Sequence, residues 1–150
     1  CQPGRGTMSM ARDGLLSDLF FGFDPEHLLV RLDGRGGPWR EKLAGVDALR
    51  VVFFQPEGFE LMISKPDARQ PILQLYHNDV PVAESDAEAA ADLIFELSIP
   101  FRSLTVQTND PVHFCVELIQ DETTIERVPN EGAIEAVVPS PDYELIMWQA

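Results

Sequence analysis

The sequence predicts an all-β fold, an antiparallel two-sheet sandwich of about ten or eleven strands with little helix. Short runs in which apolar and polar residues alternate recur along the chain, which is typical of strands with one buried face. Turn residues separate these runs roughly every 8–12 residues, as in sandwiches and barrels. The chain has 150 residues, a length that suits one domain with one core. A jelly-roll and an immunoglobulin-like strand order both remain open.

We place the predicted strands where apolar and polar residues alternate, and we end them at the Gly, Pro, Asn and Asp residues between the runs. The clearest run places Leu93, Phe95, Leu97 and Ile99 on one face, with polar side chains on the other. The run 48–54 is apolar on both faces apart from Arg50, which favours a central strand. In chain order, we predict strands at 15–23, 27–33, 48–54, 59–63, 72–77, 80–83, 93–99, 112–118, 124–128, 134–138 and 143–148.

Helical signals are few and short. Residues 38–46 begin with a proline suited to a first helical position, and we expect one or two turns there. Residues 100–104 resemble the single turn that often follows an edge strand. Residues 85–91 have helical propensity and a Ser85/Glu88 capping box, but no apolar stripe. We interpret this segment as an acidic loop with room for one helical turn.

The charge of the chain disfavours two classes of partner. There are 25 acidic residues against 11 basic ones, a formal net charge of −14. This field repels phosphate backbones and anionic lipid, so we expect neither nucleic acid nor membrane as a partner. No apolar run approaches the roughly 20 residues that a membrane span needs, and no signal peptide is visible.

The start of the chain and its cysteines give two further expectations. The sequence begins at Cys1, and a glycine-containing segment leads straight into the first structured run, so we expect a fragment of a larger protein that forms one domain over residues 1–150. Cys1 and Cys115 are the only cysteines, and we expect two free thiols, with Cys115 buried in a strand. Free thiols favour a reducing compartment, which makes the expected location cytoplasmic.

No catalytic motif is recognisable. A Gly-x-Ser-x-Gly elbow is missing, and residues 33–37 are glycine-rich without the Lys-Ser/Thr of a phosphate loop. His27, His77 and His113 lie on three different predicted strands, which does not favour a zinc site. We therefore expect this domain not to be an enzyme, and we expect no metal and no cofactor.

Four residues are candidates for carbohydrate binding. Sugar-binding faces stack the apolar side of a pyranose on an aromatic ring, with carboxylates or amides on the hydroxyls. The rings that we expect to be partly exposed are Trp39 in a loop, Tyr76 near a strand end, and Trp148 close to the C-terminus; Asp18 stands out as an acid inside a predicted strand. The alternatives are that the rings pack in the core or form a docking patch, and that Asp18 lies on a solvated strand face.

Seven segments spread over nearly the whole chain form a recognisable set: Gly6-Thr7-Met8, Leu16 to Asp24, Glu26 to Asp33, Ile99-Pro100-Phe101, Val116-Glu117-Leu118, Glu126 to Pro129 and Tyr143 to Trp148. They resemble the β-sandwich region that follows the catalytic domain in many glycoside hydrolase family 57 proteins, and are also similar to family 9 carbohydrate-binding-module-like sandwiches. The chain departs from the pattern at Ser9, where histidine is frequent, and at Leu29, where an aromatic is common.

The resemblance implies a parent enzyme that acts on α-glucans, a glycoside hydrolase or a glucanotransferase, whose catalytic carboxylates lie in an upstream domain. No catalytic residue is carried over, because the matching positions are sandwich positions. The implied partners are the upstream catalytic domain of the same chain and an α-glucan or oligosaccharide. The alternative is a structural module that packs on the catalytic domain and binds no sugar.

Overall fold

The computed structural model describes residues 14–140 and the backbone of residues 6–9. Two antiparallel sheets and two single-turn helices form this part of the chain, α1 (Trp39–Lys42) and α2 (Phe101–Leu104). The predicted all-β sandwich is confirmed. The described strands are β1 (Gly6–Ser9), β2 (Leu16–Phe23), β3 (His27–Gly34), β4 (Ala48–Gln55), β5 (Phe59–Ser64), β6 (Ile72–His77), β7 (Val80–Pro81), β8 (Glu88–Ala91), β9 (Phe95–Pro100), β10 (Pro111–Gln120), β11 (Thr123–Val128) and β12 (Ile134–Val137).

The strand order brings distant parts of the chain together. The five-stranded sheet has the order β1-β2-β3-β9-β8. The seven-stranded sheet has the order β11-β10-β4-β5-β6-β7, and β12 also pairs with β10. Strand β9 lies directly beside β3, with Val30 opposite Leu97 and Arg31 opposite Glu96. The outer face of the five-stranded sheet is therefore built from residues far apart in sequence.

The core lies between the two sheets and follows the predicted alternation. On β3, Leu28, Val30 and Leu32 are buried, whereas the residues between them face outward. The two inner faces meet at Phe21 and Phe114, whose ring centroids are 6.1 Å apart in an edge-on arrangement. Close-packed inner faces of this kind hold each strand in one register, because a slip of one residue would turn its apolar side chains to water.

Several local expectations were right and two were wrong. Helices α1 and α2 form within the predicted segments 38–46 and 100–104. Leu93 does not belong to the predicted strand face; it precedes β9 and is 68% exposed. Residues 88–91 form an edge strand rather than a loop with a helical turn, since pairing with β9 satisfies their backbone and outweighs local helical propensity. The predicted strand 143–148 lies outside the described residues.

Two charged side chains fix the start of β2. The Glu126 carboxylate accepts hydrogen bonds from the backbone N–H groups of Leu15 and Leu16, at 2.6 and 3.2 Å. From the other side, the Arg35 guanidinium donates to the carbonyl oxygens of Gly14 and Leu16, both at 3.0 Å. Because Glu126 belongs to the seven-stranded sheet, these bonds tie the two sheets together and set the position of β2.

The turn of the β10–β11 hairpin has a backbone conformation that its two central residues adopt at a cost in free energy. Asp121 and Glu122 have φ angles of 53° and 63°, the pattern of a type I′ turn, which prefers glycine at the second position. We expect Glu122→Gly to raise the free energy of unfolding by about 0.5–1 kcal/mol, because glycine adopts this conformation without a Cβ clash. Urea denaturation of the variant and the wild type measures the difference.

A glycine substitution in another turn serves as the control. Glu57 is also exposed and lies in a turn, but its φ is not positive. Glu57→Gly should lower the free energy of unfolding, because glycine adds freedom to the unfolded chain and relieves nothing in the folded one. Equal destabilisation by both substitutions would contradict the strain assigned to Glu122.

Candidate functional site

The five-stranded sheet carries an open groove with a volume of about 850 Å³. Four strands of that sheet, the turn between β2 and β3, and Gln70 and Leu73 from the segment that enters β6 form it. We call it the sheet groove. The side chains that face it from the outward positions of these strands are Phe20, Leu29, Arg31, Glu88, Glu96 and Ser98.

Strand pairing arranges the groove in two rows across the sheet. One row runs from Phe20 through Arg31 and Glu96 to Ala90, and the other from Gly22 through Leu29 and Ser98 to Glu88. Gly22, Ser98 and Ala90 are the small residues in these rows, and they leave space above the sheet beside their larger neighbours. Neighbouring strands lie about 4.8 Å apart, so the four strands from β2 to β8 give a groove roughly 14 Å wide.

An exposed aromatic ring lies at one side of the groove. Phe20 is 36% exposed, although Leu19 beside it is fully buried. The Arg31 guanidinium carbon lies 5.0 Å from the Phe20 ring centroid, a cation–π geometry that holds the ring in place. Arg31 also donates from Nε to Asp33 Oδ1 at 3.2 Å. Phe20 and the 37%-exposed Leu29 together give the groove its apolar surface.

The Asp24 carboxylate lies at one end of the groove and is held there by neighbouring groups. Asp24 lines the groove in the β2–β3 turn, and its Oδ1 accepts a hydrogen bond from the Glu26 N–H at 2.8 Å. The His27 Nδ1 lies 2.9 and 3.0 Å from the two Asp24 carboxylate oxygens. These contacts hold the Asp24 carboxylate in a fixed orientation at the groove end.

Trp39, predicted to be partly exposed in a loop, is instead fully buried. It begins α1, and its ring stacks on Phe95 with centroids 5.0 Å apart. The indole Nε1 donates a hydrogen bond to the Pro66 carbonyl oxygen at 2.8 Å. The expectation of exposure was therefore wrong, because tertiary contacts turn the ring inward, and a fully buried ring presents no face to a sugar.

The other candidates are dispersed. Tyr76 is half-buried on the outward-facing side of β6, in the seven-stranded sheet, opposite Glu60 on β5. Asp18 is half-buried on β2, opposite Asp33, two residues before Phe20 and beyond the groove lining. Trp148 lies outside the described residues. Of the two described residues, Asp18 shares strand β2 with the sheet groove, whereas Tyr76 belongs to the other sheet.

Within residues 14–140, the free cysteine is buried and potential metal ligands are not clustered. The predicted burial of Cys115 is confirmed, and its thiol is free. Burial raises the pKa of the Cys115 thiol, and the effect of burial outweighs the opposing effect of the nearby Arg127; a thiol in this environment is a poor nucleophile. No group of three or more His, Cys, Asp or Glu side chains in this region is arranged to hold a metal ion.

The groove residues were missed in the sequence because the strand pairs that carry them, β2–β3 and β8–β9, are far apart along the chain. The local signal was present: Phe20 shares the polar parity of β2 with Asp18 and Gly22, so a large apolar residue occurs where a solvated one is expected. This signal alone does not indicate a site, because the groove also needs β9 and β8, which extend the sheet beside β3.

Comparison of the chain with protein-family models, with curated proteins and with solved structures finds no match. No helix in the described part of the chain is long and apolar enough to cross a membrane.

Proposed function

We propose that this chain is a non-catalytic accessory domain of a glycoside hydrolase that acts on α-glucans, and that it binds carbohydrate weakly in the sheet groove. The observation that carries the proposal is the groove itself, an open channel across a sheet face with an exposed Phe20 ring at one side. The α-glucan class is supported by the resemblance of the sandwich segments to the region after the catalytic domain in glycoside hydrolase family 57 proteins.

The groove matches the two needs of sugar recognition. Phe20 and Leu29 supply apolar surface for the face of a sugar ring, and the Arg31 guanidinium beside Phe20 preorients the aromatic ring. Ser98, Glu88 and Glu96 supply acceptors for sugar hydroxyl groups. An open groove with few polar contacts and much solvent predicts weak binding, with Kd in the range of about 1 mM.

Weak binding is useful in a domain tethered to an enzyme. A glucan held by the groove stays near the catalytic domain of the same chain, which raises its effective concentration without new chemistry. The Cys115 thiol is buried and its pKa is raised, so this residue is not a candidate nucleophile. Its free thiol is also consistent with a cytoplasmic parent enzyme.

Calorimetric titration of the 150-residue chain with malto-oligosaccharides and a glucan polymer tests the proposal. We expect saturable binding that Ser98→Gln weakens, because the longer side chain fills the middle of the groove. The matched control is Ile125→Gln, on β11 of the other sheet, where the side chain is 45% exposed. Absence of binding by a folded wild-type chain, or equal loss in both variants, would overturn the groove as the site.

A second candidate function rests on a different surface. Exposed apolar side chains on the seven-stranded sheet include Phe54 at 43% and Ile72 at 59%, and patches of this kind also serve as protein–protein contacts. In that case the domain packs on its catalytic domain and binds no sugar. Titration separates the two candidates, because a structural module gives no saturable response to glucan.

A further inference from the structure

The charges that line the sheet groove are unbalanced. Asp24, Glu88 and Glu96 contribute carboxylates, whereas Arg31 contributes the cation. Arg31 is itself paired with Asp33, through contacts of 3.2 and 3.4 Å. Within residues 14–140, neither Glu88 nor Glu96 forms a salt bridge. Arg31 lies opposite Glu96 across the sheet, but the groove lining still carries three carboxylates against one cation.

The two unpaired carboxylates lie where a ligand would cross the sheet. Glu88 is opposite Ser98, and Glu96 is opposite Ala90, so the glutamates occupy diagonal positions on adjacent strands. Diagonal neighbours are roughly 7–8 Å apart, and a chain of sugar rings in the groove would contact both. Their local field adds to that of a protein with a formal net charge of −14, which strengthens repulsion of anions.

Hydrogen-bond chemistry also favours neutral sugars over anionic ones. An ionised carboxylate accepts hydrogen bonds and cannot donate them, so the groove requires a ligand that brings donors. The hydroxyl groups of a neutral sugar supply them. In a uronic acid, a carboxylate replaces the C6 hydroxymethyl group, so the ligand loses a hydrogen-bond donor and gains a negative charge. The groove cation that would pair with this carboxylate, Arg31, is already engaged by Asp33.

We infer that the sheet groove selects uncharged glycans and excludes anionic ones of the same length. This inference rests on the proposed function, since it describes the ligand class of the same groove. It assigns to Glu88 and Glu96 a role in specificity beyond that of solubilising surface charges.

The test compares a malto-oligosaccharide with an α-linked oligogalacturonide of equal length, by calorimetry at low ionic strength. We expect the wild-type chain to bind the neutral sugar at least about tenfold more tightly, because repulsion between exposed charges is strongest when salt is low. The double variant Glu88→Gln/Glu96→Gln should bind the uronate several-fold more tightly than the wild type does, with little change for the neutral sugar.

The matched control is Glu131→Gln/Glu135→Gln, which removes the same charge from two exposed positions away from the groove. An equal gain in uronate binding by both double variants would overturn the inference, since net charge would then suffice. Equal binding of the two sugars by the wild type would overturn it too, and would leave the proposed function standing. If the neutral sugar does not bind at all, the proposed function itself fails, and the inference fails with it.

Discussion

Replacing Trp39 with alanine should lower the free energy of unfolding by about 3–5 kcal/mol, the usual cost of deleting a large buried ring. The change removes a fully buried indole, its stack on Phe95 and its hydrogen bond to the Pro66 carbonyl oxygen. Domains have a total stability of about 5–15 kcal/mol, so this loss is a large share. Urea denaturation followed by far-ultraviolet circular dichroism measures it.

The matched variant Trp39→Phe keeps an aromatic ring against Phe95 and loses the indole N–H. The Pro66 carbonyl then lacks a partner that is 2.8 Å away in the wild type, and we expect a loss of about 1–3 kcal/mol. Trp39→Ala should therefore cost clearly more than Trp39→Phe. A Trp39→Ala variant as stable as the wild type would contradict the burial of the ring and reopen its role as an exposed platform.

Replacing Phe20 with alanine should weaken glucan binding about tenfold or more, while the chain keeps its fold. Phe20 is the exposed ring of the sheet groove, and its removal also takes away the surface that orients the Arg31 guanidinium. A tenfold loss corresponds to about 1.4 kcal/mol, within the range that aromatic contacts supply. Calorimetric titration with a malto-oligosaccharide, beside a denaturation curve, measures both quantities.

Phe54→Ala is the control for that variant. Phe54 is exposed to a similar extent, 43% against 36%, but belongs to β4 in the seven-stranded sheet. Both substitutions remove the same atoms from a partly exposed strand position, so their effects on stability should be similar. If Phe54→Ala weakens binding and Phe20→Ala leaves it unchanged, the binding site lies on the seven-stranded sheet instead.

Much of the fold was predictable because the pattern of burial is local. On β3, the sequence His27 to Gly34 alternates between side chains that enter the core and side chains that leave it, and the structure follows that alternation. The turn residues between strands were equally informative, as at Asn78-Asp79, where both φ angles are positive. Alternation and turn chemistry depend on neighbouring residues, so one sequence is enough to detect them.

Trp39 and residues 88–91 were not predictable in the same way. The partners of Trp39, Phe95 and Pro66, are distant along the chain, and the segment around the tryptophan contains no sign of them. Residues 88–91 have helical propensity, yet they extend because an edge of β9 is available. In both cases a long-range contact outweighs the local preference.

The candidate site lies beyond local prediction for a further reason. Phe20 and Arg31 are a hairpin pair that the β2–β3 turn brings together, so this half of the groove could have been predicted from the sequence. Glu88, Glu96 and Ser98 join them only through the pairing of β9 with β3. The sequence candidates were chosen as conspicuous rings, whereas the groove depends on strand order.

The most direct test of the account is to map a glucan titration onto the backbone amides of the folded chain by nuclear magnetic resonance. If the sheet groove binds carbohydrate, the shifts that move in a saturable manner should cluster in β2, β3, β9 and β8, around Phe20, Leu29 and Ser98. Saturable shifts confined to β6 around Tyr76, or no shifts at millimolar sugar, would contradict the assignment of the groove as a carbohydrate-binding site.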